Sequence, residues 1–94
     1  MIEVTLVGGD RCRRMGRFRE VVQQAARETT VPVHIIEAVD FLDPMRYGAL
    51  ALPALLIDGE LAASGNAPSV ETVRQLLDAR AAQLSWKAWK ARRA

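Results

Sequence analysis

Two β-type runs separated by one amphipathic helix open this chain, and that order admits few folds. Ile2–Val7 alternates apolar residues with Glu3 and Thr5, then reaches Gly8-Gly9, so it reads as a strand ending in a turn. From about Arg11 to Thr29, the apolar residues Met15, Phe18, Val21, Val22, Ala25 and Ala26 recur at helical spacing, with Asp10 as the expected N-cap. Gly16 is a poor helix residue, costing about 1 kcal/mol relative to Ala, and predicts close packing or a local distortion behind it. Val31–Ile36 is the second run, with Pro32 near its start, where a missing N–H is tolerated. A strand–helix–strand passage of this kind makes the two strands parallel neighbours.

The second half predicts a hairpin. Leu52–Ile57 and Glu60–Ala63 flank Asp58-Gly59, and a type I′ turn needs positive φ at both central residues, which this dipeptide supplies. Between the halves, Asp40–Ala49 reads as a short irregular helix starting near Asp43-Pro44. Ser64–Pro68 is a loop, and Ser69 caps a last helix with the stripe Val70, Val73, Leu77, Ala81 and Leu84. The expected order is βαβ-α-ββα, an α/β domain over residues 1–84 followed by a basic extension over 85–94. At 94 residues with 5% aromatics, the chain can build one small aliphatic core.

Composition narrows the function classes. No apolar run approaches the roughly 20 residues that cross a bilayer, and the N-terminus reads as a strand rather than a secretory leader. One cysteine permits no internal disulfide, so a reducing, cytoplasmic setting is expected. Residues 1–30 carry six Arg against four acids, residues 31–78 two Arg against seven acids, and residues 79–94 five Lys/Arg against none. The balance does not require nucleic acid. No Cys, His and carboxylate set has metal-site spacing, and no phosphate-loop pattern occurs, so neither a metal nor a cofactor is expected.

Cys12 carries the chemical interest. A free cysteine is often a buried small hydrophobe. At a helix start, beside Arg11, Arg13, Arg14 and Arg17, it instead gains a field that favours the thiolate. Asp10 works against that field, and most of the arginines read as a solvated helix face. Pro53, at the start of the third strand, reads from the residues alone as an ordinary trans proline. His34, mid-strand and distant in sequence, is a weak candidate to partner the thiol.

Gly8–Phe18, with Cys12 inside it, and Leu52–Leu61 together resemble the small single-domain thioredoxin-like proteins of the redox-active disulfide, or glutaredoxin-like, type. Their pattern is strand, glycine turn, Cys-x-x-Cys, helix, and later Leu-Pro followed by an Asp-Gly hairpin. The resemblance spans about residues 2–78. It implies a thioredoxin-like four-stranded mixed sheet flanked by helices on both faces, and a cis Leu52–Pro53 bond beside Cys12. It makes Cys12 the catalytic nucleophile and sets Leu52 and Pro53 against the substrate; Arg11, Arg13 and Met15, beside Cys12 in sequence, complete the expected substrate-binding set. Met15 stands where the family has its second cysteine, and a thioether cannot attack a mixed disulfide.

Two readings stay open. One is monothiol exchange through Cys12, with a protein or small-molecule thiol such as glutathione as the resolver. The other is a catalytically degenerate adaptor. In the tail, Ser85–Ala94, a helix continued at ~100° per residue turns Trp86 about 180° from the Leu77/Leu84 stripe. The tail reads either as a frayed extension or as a face for a homodimer or an acidic surface. A Cys12–Cys12 bridge between copies is a further route to a dimer.

Overall fold

In the computed structural model, residues 1–8, 13–39 and 51–93 are described. The elements are β1 (Ile2–Gly8), α1 (Met15–Glu28), β2 (Val33–Val39), β3 (Ala54–Ile57), β4 (Glu60–Ser64) and α2 (Val70–Arg93). They form one mixed sheet in the order β2-β1-β3-β4. β1 runs parallel to β2, from Ile2 opposite Val33 to Gly8 opposite Val39. β3 runs antiparallel to β1, with Val7 opposite Ala54, and β4 returns antiparallel to β3 across an irregularity at Leu55/Leu56.

Alternation along β1 and β3 sorts the side chains between the two faces. Ile2, Val4, Leu6, Leu55 and Ile57 point to one face, where Phe18, Val21, Val22 and Ala25 of α1 and Val73 and Leu77 of α2 close over them. Among the described residues the core is aliphatic apart from Phe18, whose complete burial is worth about 2–3 kcal/mol. Val7, Ala54 and Leu56 form a second buried group on the opposite face, joined by Ala38 and Leu52. Both described helices lie on the first face. The short helix expected at Asp40–Ala49 falls outside the described residues.

Two boundaries differ from expectation. α1 begins at Met15 with Arg14 as its N-cap, later than the expected start near Arg11, and residues 13–14 form a turn; Asp10, the expected cap, lies outside the described residues. Arg14 has no side-chain acceptor to cap the helix, and the first turn holds no acid. β2 begins at Val33 and runs on to Val39, so that all seven of its residues pair with β1. Pro32 cannot donate to the ladder; its carbonyl instead accepts the Ile2 N–H at 3.1 Å, just before the strand. Met15, Phe18, Val21, Val22 and Ala25 are buried as the helical spacing predicts.

The hairpin turn forms at Asp58 (φ 48°) and Gly59 (φ 84°), the two positive values its geometry requires. Asp58 does more than turn the chain. Its N–H donates to the Glu3 carbonyl at 2.8 Å, its Oδ1 accepts the Glu3 N–H at 2.8 Å, and its Oδ2 takes the Arg80 Nε–H at 2.7 Å. The turn is thereby tied to β1 and to α2.

Ser69 caps α2 as expected, accepting the Thr72 N–H at 3.1 Å. The helix then runs unbroken to Arg93. Its 24 residues span about 36 Å, more than the 27 and 17 Å shorter dimensions of the molecule, so it lies along the 48 Å axis.

Candidate thiol site

The C-terminal end of β1 lies beside the start of β3, and this neighbourhood frames the segment that carries Cys12. Gly8 is the last residue of β1. A Cβ there would run into the Met15 methyl and come within 3.7 Å of the Pro53 Cβ. The absence of a side chain at Gly8 therefore lets Met15, the first residue of α1, lie across the strand end beside Pro53. Met15 is 6% exposed and belongs to the main core, and Pro53 is fully buried. The Leu52–Pro53 peptide bond is cis, and Leu52 is half-buried.

Three side-chain and backbone links hold this corner. The Pro53 carbonyl accepts the Gly65 N–H at 2.8 Å. The Gly65 carbonyl accepts Arg14 Nη1–H at 3.2 Å, which joins the α1 start to the loop after β4. Ser64 Oγ accepts the Ala51 N–H at 3.0 Å and donates to the Ala51 carbonyl at 2.6 Å, so one hydroxyl fixes both polar groups of the residue ahead of Leu52. Gly65 sits at φ 86°, where a side chain would be strained. Among the described residues, the Leu52 N–H and carbonyl make no hydrogen bond.

Cys12 and Arg11 lie outside the described residues. Arg13 is exposed in the turn before α1. Arg17 pairs with Glu20 at 3.7 Å on the solvated face of α1, as a surface arginine would. His34 faces solvent opposite Glu3 in the β1–β2 register, five positions and about 17 Å along the strand from Gly8. Among the described residues no group of three or more His, Cys, Asp or Glu could hold a metal ion, and no helix is long and apolar enough to cross a membrane.

Sequence reasoning missed Ser64, Gly65 and the particular role of Arg14. Ser64 and Gly65 stood at the edge of a loop, and only the strand pairing brings them to residues 51 and 53.

The four-stranded sheet, the βαβ start, the Leu-Pro turn into a hairpin and the first turns of the closing helix fall within residues 1–78, and a family model described as thioredoxin domain matches that span. The chain belongs to the thioredoxin-domain family. No match to a curated protein was found. The match ends at Asp78, inside α2, so Trp86 and Trp89 lie beyond the thioredoxin domain as the family model draws it.

Proposed function

We propose that this thioredoxin-domain protein performs monothiol thiol–disulfide exchange through Cys12. The observation that carries the reading is the convergence of Met15 and Pro53 on Gly8. Cys12 falls between Gly8 and Met15 in sequence, so the chain enters and leaves the thiol-bearing segment at the proline. Leu52, whose backbone groups are unengaged among the described residues, then offers an edge to an extended substrate. Arg11 and Arg13 add positive charge that favours the thiolate.

The thiolate of Cys12 attacks one sulfur of a substrate disulfide. A bond forms between the Cys12 Sγ and that sulfur, the substrate S–S bond breaks, and the departing thiolate takes a proton from solvent. Met15 has no thiol to reverse the mixed disulfide. A second, external thiol of the glutathione class attacks it as thiolate, forms a new disulfide with the substrate sulfur and returns Cys12 as thiolate. A reducing compartment such as the cytoplasm supplies that thiol.

Alkylation rate against pH should give a Cys12 pKa clearly below the free value of about 8.5. A disulfide-reduction assay supplied with glutathione should lose its protein-dependent rate in Cys12→Ser. An ordinary or raised pKa, or equal rates for the two proteins, would leave the second reading, a thioredoxin-fold adaptor. That alternative draws on the buried Met15 and on the tryptophan-bearing helix beyond the family match.

A further inference from the structure

α2 carries a second surface, turned away from the core. At ~100° per residue, Leu76, Ala79, Gln83, Trp86 and Lys90 fall within an arc of about 80°, separate from the arc of Val73, Leu77, Ala81 and Leu84 that meets the sheet. Leu84 is the last α2 residue packed on the core, and residues 85–92 are all exposed. Trp86 is 53% and Trp89 46% exposed, their rings stack at 5.0 Å, and Lys90 Nζ lies 5.3 Å from the Trp86 ring centre. The aromatic pair is thus a preformed plate with a cation at its edge.

The other end of the same stripe borders a groove. Leu61 and Ala62 of β4 and Leu76, Ala79 and Gln83 of α2 line it, with Glu60 at its rim. Leu61 and Leu76 are exposed, and the groove volume is about 170 Å³. A cavity on the order of 150 Å³ accepts a benzene-sized ring. Among the described residues Glu60 has no ion-pair partner, because the nearby Arg80 is committed to Asp58.

We propose that a second copy of this chain fills the groove, through a two-fold pairing of antiparallel α2 helices. An axis that sets Ala79 opposite the partner's Gln83 also sets Leu76 opposite the partner's Trp86. Each Trp86 then covers the other copy's Leu61/Leu76 groove, and the two contacts are equivalent, as a closed dimer requires. Ala79 at the crossing leaves room for close approach. Charge complementarity selects this occupant. Residues 79–94 hold five Lys/Arg and no acid, and Lys90 travels with Trp86 toward the unpaired Glu60. The face is small, below about 1,200 Å² in total, so the dimer is a reversible one that forms at micromolar concentration or above. It does not depend on the Cys12 chemistry.

Sedimentation of the full chain over a concentration series, with reductant present to exclude a Cys12–Cys12 bridge, tests the proposal. The wild type should show a monomer–dimer equilibrium. Trp86→Ala and Leu61→Asp should each weaken it at least roughly tenfold, while circular dichroism confirms an unchanged fold. Glu60→Lys and Lys90→Glu should each weaken it, and the double exchange should restore it. A wild type that stays monomeric, or a dimer indifferent to all four single substitutions, would overturn the proposal. So would a monomeric chain whose tryptophan emission shifts to the blue only with vesicles rich in phosphatidylglycerol, since the occupant would then be a lipid surface.

Discussion

Asp58 concentrates three jobs in one residue: it holds a left-handed turn position, pairs with Arg80 and caps the Glu3 N–H. The Arg80 hydrogen bond, then the Glu3 N–H, hold its carboxyl below the ordinary aspartate value of 3.8, although burial pulls the other way. A depressed folded pKa contributes stability that is complete above the unfolded value and is lost as pH falls through the folded one. Asp58→Asn keeps a residue that tolerates positive φ, removes the charge and replaces one of the two acceptor oxygens with an NH2 donor, so either the Glu3 or the Arg80 bond is lost. It should cost about 1–2 kcal/mol at neutral pH. Denaturation midpoints of the two proteins should converge as pH drops below about 4. The turn itself was legible in the Asp-Gly pair. The bonds to Glu3 and Arg80 were not, because they span 55 and 22 residues and appear only once the strands and α2 are in place.

At the scale of elements, the apolar spacing of α1 and the alternation of β1 foretold which side chains meet in the core. The helix begins at Met15, later than about Arg11, because apolar spacing marks the face of a helix and not its first residue. Arg14, read as one of several cations near Cys12, instead bridges α1 to the Gly65 loop. Side-chain spacing predicts faces well and says little about where a cation of several rotatable bonds ends its reach. The same limit hid Ser64, whose hydroxyl joins β4 to the segment before Pro53. Ser64→Ala should lower stability by about 1 kcal/mol. Hydrogen exchange at the Ala51 amide should accelerate more than exchange in β1. Equal acceleration throughout would show that the loss is global and that Ser64 has no special hold on that segment.

On the whole-molecule scale, the thioredoxin domain and the helix end beyond Leu84 divide the labour of folding unequally. Residues 85–92 are exposed, and none of them belongs to the core. Removal of residues 85–94 should leave the monomer's thermal midpoint within about 4–8 °C of the full chain, the shift that ~1 kcal/mol brings in a domain of this size. The measurement belongs at a concentration where the dimer is dissociated. The family match was legible from the glycine turn, the Leu-Pro pair and the Asp-Gly hairpin. The continuation of α2 was legible only as one alternative, since Lys, Ala and Arg favour a helix but cannot show what faces it.

Arg14 gives its hydrogen bond to a neutral carbonyl, not to a carboxylate. Among the described residues no carboxylate pairs with it, so the entrance to α1 keeps a source of positive potential. On the proposed exchange at Cys12, thiols and disulfides that carry net negative charge arrive faster than neutral or cationic ones, and the preference fades as salt shortens the reach of the field.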